Sequence, residues 1–71
     1  MNKDVLDFVT FCVGTVSRKL NISRKDTYNK LNASGILTSY IVGAYDVLHT
    51  FSSEYIAEDI IEYMKEKGVL A

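Results

Sequence analysis

The 71-residue sequence contains no proline, a single cysteine and a single histidine. Without proline, low-complexity tracts or repeats there is no mark of a linker, and one domain spanning residues 1–71 is expected. Cys12 alone excludes an internal disulfide. Cys12 and His49 together fall short of the ligand set that closes a structural zinc site, so neither a metal nor a cofactor is expected. Long apolar runs are missing too: the stretch after Met-Asn-Lys-Asp is broken by Asp7 and Thr10, unlike a signal peptide or a spanning helix. A cytoplasmic protein without membrane attachment is the expectation.

What is present has the balance of a globular chain, with 48% hydrophobic residues and a formal net charge of −1. A chain this short buries only about 60% of the surface its unfolded form exposes, so efficient helix packing, an oligomer or a partner must supply its stability. The near-zero net charge hides an asymmetry. Residues 1–35 hold six Lys or Arg against three Asp or Glu, whereas residues 36–71 hold two against six. Basic and acidic halves of this kind can pair between copies, which makes a homodimer one option.

Hydrophobic periodicity predicts a compact all-α bundle of about four helices. Val5, Leu6, Val9, Cys12, Val13, Val16 and Leu20 lie on one stripe of a first helix, about Lys3 to Leu20. After a turn at Asn21-Ile22, Ser23 and Asp26 resemble a capping box for a short helix, about Arg24 to Ala33. Gly35 closes that helix. Leu37, Tyr40, Ile41, Ala44, Tyr45 and Leu48 recur at helical spacing in a third segment, with an extended or kinked end allowed by Gly43. Ser52 or Ser53 caps a final helix, about Ser53 to Lys67, whose stripe is Ile56, Ala57, Ile60, Tyr63 and Met64 and which Gly68 ends.

Three sets of residues are candidates for function. The first is AYDVLHT, residues 44–50, where Asp46 and His49 stand one helical turn apart and could orient one another. Catalysis needs more: no serine sits in a strained elbow, no glycine-rich loop cradles phosphate, and Cys12 belongs to the core stripe. The segment therefore reads as a helix-ending joint, with His49 favoured by the helix dipole and its ring nitrogens satisfied by Asp46 or Thr50. No catalytic residue is assigned.

The second set is the basic cluster Arg18, Lys19, Arg24, Lys25 and Lys30 around the first turn, with Tyr28 among the charges. Helix-turn-helix recognition of DNA would use the third segment as reader. Its outward residues Thr38, Ser39, Val42, Gly43 and Asp46 include no Lys, Arg, Asn or Gln, the side chains that most often read base edges. A nucleic-acid-binding regulator using the basic turn is thus the alternative rather than the leading reading.

The third set points to a protein partner. Phe11 projects from the polar side of the first helix, beside Gly14, where a large aromatic next to a glycine would let a partner helix approach closely. On the last helix Glu54, Glu58 and Glu62 form a row at four-residue spacing, Asp59 and Glu66 lie nearby, and Tyr55 stands on the same acidic side.

The segments DFVTFCV, LNIS, YNKL-NASGIL-TSYI, YDVLHT and EYIAEDIIEYMKEKG resemble, over almost the whole chain, a family of small bacterial proteins of unknown function. Tyr45, Asp46, Leu48, His49 and Thr50 occupy its YDxLHT signature, and Ala44 stands where many relatives carry asparagine. The resemblance implies a helical protein often encoded beside an ADP-ribosyltransferase-like protein, as toxin is with antitoxin or effector with accessory factor. It implies no catalytic residue. Together these readings favour a non-enzymatic interaction module, an antitoxin or accessory factor, with Phe11, Tyr55, Glu54, Glu58 and Glu62 as partner-binding residues.

Overall fold

The computed structural model describes residues 2–70, and among them there is no strand. The first helix, α1 (Lys3–Leu20), starts where the Asn2 side chain accepts a hydrogen bond from the Val5 N–H at 2.9 Å and ends at Asn21, which takes the left-handed conformation. α2 (Arg24–Ala33) is capped by Ser23, whose hydroxyl accepts from the Asp26 N–H at 3.0 Å. No return bond from the Asp26 side chain completes a box. α2 buries only Thr27 and Leu31, four residues apart, and is otherwise polar. Gly35, with φ of +83°, turns the chain out of it.

The third segment departs from the expected single helix. Residues Leu37–Val42 form a π-helix, Gly43-Ala44 make a turn, and only Tyr45–Leu48 return to α-helix as α3. Two local features account for this. The Ser39 hydroxyl donates to the Gly35 carbonyl at 2.7 Å, which also accepts from the Ser39 N–H, and such back-bonding bends helices. The Gly43 N–H donates to the Thr38 carbonyl five residues back at 3.1 Å, and a Cβ on Gly43 would stand only 2.6 Å from the Ser39 oxygen. A wider turn changes which residues face inward: Ile36, outside the expected stripe, is fully buried with Leu37 and Ile41, while Ala44 and Tyr45 are only half-buried.

α4 (Ser53–Glu66) is capped by Ser52, one of the two serines anticipated. Its stripe packs on α1, which also contacts α2 and the π-helix and so lies at the centre of the fold. Cys12 and Val16 from α1 meet a fully buried set that includes Leu31, Ile36, Ile41, Ile60 and Met64. The stripe of α1 is rotated from the expected one at its N-terminal end. Leu6 is 53% exposed, and Phe8 is buried in its stead because α3 brings Tyr45 edge-on to its ring at 5.3 Å. No helix among the described residues is long and apolar enough to cross a membrane.

Burial among apolar neighbours pushes the Cys12 thiol up from 9.0 to about 12. The folded state thus holds the proton that the unfolded chain releases, and this contribution to stability is intact below pH 9.0 and is lost as pH rises towards 12. Cys12→Ala should show a shallower alkaline loss of stability over that window, read by urea unfolding at stepped pH. The native thiol should also resist aromatic disulfide reagents until the protein is denatured. In the π-helix, Gly43→Ala should lower unfolding free energy by about 1–3 kcal/mol, because the clash with Ser39 outweighs the roughly 1 kcal/mol that alanine ordinarily gains over glycine in a helix.

Candidate functional site

The residues of the AYDVLHT segment interlock, in a different way from the one their spacing suggests. The Tyr45 carbonyl sits 2.7 Å from His49 Nδ1 and also accepts the His49 N–H at 3.0 Å. A carbonyl can only accept, so Nδ1 carries the proton and, in the neutral ring, the lone pair lies on Nε2. The imidazole stacks on the Tyr45 ring at 4.6 Å between centroids and 13° between planes. Neither Asp46 nor Thr50 satisfies the ring: Asp46 makes no ion pair with it, and the Thr50 hydroxyl donates instead to the Val47 carbonyl at 2.7 Å. Leu48 is buried, as an anchor should be. The Asp46–His49 pairing that a catalytic reading needs is absent from the geometry.

Phe11 is 44% exposed and lies 6.5 Å from Phe8, so an aromatic series runs from Phe11 through Phe8 and Tyr45 to His49. The glycine beside it is not open. Gly14 is buried, because the guanidinium groups of Arg18 and Arg24 converge over it: Arg24 Nη2 and Arg18 Nη1 lie 3.4 and 3.5 Å from the point a Gly14 Cβ would occupy. Close approach of a partner helix at Gly14 is therefore blocked by two arginine side chains. Of the other basic residues, Lys19 and Lys25 are exposed next to this pair in sequence, while Lys30 stands at the far end of α2 and Tyr28 is exposed on the same helix.

On α4, Glu54, Glu58 and Glu62 are all exposed, and the row borders relief that the sequence did not reveal. Tyr40, Asp59, Glu62, Tyr63 and Glu66 line an open cleft of about 190 Å³, and Tyr55, Glu58, Asp59 and Glu62 line a second of about 290 Å³. Tyr40 and Tyr63 meet edge to face at 5.4 Å, and Lys67 Nζ lies 5.6 Å from the Tyr63 ring centre. Periodicity assigned Tyr40 and Tyr63 to the interior. Both are half-buried, as befits a ring with a hydroxyl that needs water or a partner. Phe51, which no periodic pattern singled out, is 43% exposed and rests 4.9 Å from the ring of Tyr55, itself 53% exposed. Among the described residues the only ion pair is Lys3–Asp7, so no carboxylate of α4 is neutralised within the chain, Lys65 notwithstanding.

His49→Ala should lower stability by about 1 kcal/mol, through the lost bond to Tyr45 and the lost stacking on an exposed site. Asp46→Asn should leave it within about 0.5 kcal/mol of wild type, since Asp46 touches neither ring nor ion pair. Denaturant titration of the two variants distinguishes them.

No curated protein and no solved structure is significantly similar to this chain. Residues 7–67 match a family model described as "Protein of unknown function (DUF3791)". The match takes in α1 from Asp7 onward, α2, the π-helix, α3 and all of α4. The chain belongs to the DUF3791 family.

Proposed function

We propose that this protein is a small, non-enzymatic interaction module that docks a basic surface of another protein through the outer face of α4. The observation that supports this is the row Glu54, Glu58 and Glu62, exposed, without a basic partner among the described residues, and bordering two open clefts beside the exposed Phe51–Tyr55 pair. Unpaired carboxylates steer and orient a cationic partner, while a partly exposed aromatic pair supplies the apolar contact that carries affinity. Tyrosine serves such a surface well, since its ring packs and its hydroxyl stays wet.

The partner is an ADP-ribosyltransferase-like protein encoded next to it, as the YDxLHT resemblance implies, and the role is that of antitoxin or accessory factor. An enzyme that binds a nicotinamide dinucleotide presents cationic groups to its phosphates. The acidic face of α4 can occupy such a cleft in place of the phosphates, with Phe11 at a separate contact on α1. Co-expression of the two proteins should yield one joint peak in size-exclusion chromatography. The double variant Glu58→Lys, Glu62→Lys should weaken the complex by at least about tenfold while its circular dichroism stays unchanged. Two separate peaks for the wild-type proteins, with toxicity unaltered, would overturn the reading.

A further inference from the structure

Arg18 lies in the last turn of α1 and Arg24 is the first residue of α2, so the turn between them folds the two side chains back over one spot on α1. At that spot stands Gly14, and the planar ends of both arginines reach within 3.6 Å of where its Cβ would be. Two like charges converge there with little to hold them. Arg18 Nη2 donates to the Thr15 hydroxyl at 3.4 Å, and Arg24 donates to no protein acceptor among the described residues. Neither is paired with a carboxylate among the described residues, Asp26 in the first turn of α2 included. Lys19 and Lys25 are exposed beside them in sequence and add to the local positive potential.

We infer that Arg18 and Arg24, converging over Gly14, form a binding site for a phosphate group. A guanidinium is a rigid planar fork that engages two oxygens at once. A carboxylate offers two oxygens confined to one plane and a single charge, so two forks can share it only within that plane. A tetrahedral phosphate presents oxygens to two forks arriving from different directions, and its charge converts their mutual repulsion into attraction. Gly14 lets the two guanidinium groups lie directly over the helix, where a long side chain would push between them, and this is a use for glycine in mid-helix, where it otherwise weakens the element. The site is on different helices from the carboxylates of α4 and stands independently of the proposed docking function.

The phosphate can be free or carried by a small molecule, or it can be part of a nucleic-acid backbone, and one experiment with two arms separates these sources. In the first arm the full-length, ¹⁵N-labelled protein is titrated with inorganic phosphate against sodium chloride of equal ionic strength. The Gly14 and Thr15 amide signals should move saturably with phosphate and not with chloride. Arg18→Gln and Arg24→Gln should each weaken binding by about tenfold or more. Gly14→Leu should weaken it similarly although both charges remain, whereas Lys25→Gln should change it by less than about twofold. In the second arm a short single-stranded oligonucleotide without terminal phosphates replaces inorganic phosphate. Tighter, Arg24-dependent binding there assigns the site to a nucleic-acid backbone, and weaker binding assigns it to a free or terminal phosphate. Shifts that follow ionic strength alone, or a Lys25→Gln loss equal to that of Arg24→Gln, would overturn the inference.

Discussion

The burial of one stripe of α1, centred on Cys12 and Val16, is the constraint on which the other elements depend. These two side chains are fully buried, and they can be so only if α4, α2 and the π-helix close around a single helix. A short chain has few ways to do this, because every covering element must contribute large apolar groups while keeping its outer side wet. α2 is the extreme case. It offers Leu31 and the Thr27 side chain to the core and leaves almost everything else to solvent. Thr27 is tolerated at full burial because its hydroxyl donates to the Ser23 carbonyl at 2.9 Å. Among the described residues no buried side-chain polar atom lacks a partner.

The closure is complete within one chain. An accessible surface of 4442 Å² is what size scaling gives for a compact monomer of 8.0 kDa, roughly 4500 Å². The core side chains are covered to the extent expected of a single compact chain of this size. This gives weight to the large side chains that remain outside. Phe11, Phe51 and Tyr55 are not core residues awaiting cover. They rest on other aromatic rings, which fixes their orientation before any encounter and reduces the ordering cost of binding.

Where the sequence was readable, the reason is that a local rule agreed with the tertiary demand. α2 and α4 have the expected caps at Ser23 and Ser52, and the stripes of α1 and α4 face the same core. Legibility failed where contacts distant in sequence decided the outcome. Leu6 and Phe8 fit an apolar face about equally by type, and only the arrival of Tyr45 selects Phe8. The π-helix could not be read from periodicity because a single turn of altered pitch leaves the spacing of Leu37 and Ile41 intact. Gly43 signalled a break without disclosing its kind. The acidic row was visible as a spacing, but the cleft beside Glu62 and Glu66 depends on Tyr40 reaching across to Tyr63 from another element. The convergence of Arg18 and Arg24 depends likewise on the α1–α2 turn, and a list of basic residues does not separate that pair from Lys30.

The Tyr45–Thr50 segment shows how a cluster that resembles chemistry can be accounted for by geometry. Its only imidazole is held at one nitrogen by the Tyr45 carbonyl and on one face by the Tyr45 ring, and that same ring presses its edge against Phe8 of α1. Tyr45 therefore ties together the start of α3, its last turn and the central helix. The segment also precedes the cap of α4 by only a few residues, with the Phe51 N–H donating to the Leu48 carbonyl at 3.0 Å. Tyr45 thus touches Phe8 in the core at one end of the segment, and Phe51, the ring beside Tyr55, follows three residues after Leu48 at the other. The joint connects the central helix to the turn that leads into α4. Its tyrosine and histidine are explained by that mechanical role before any reaction is invoked.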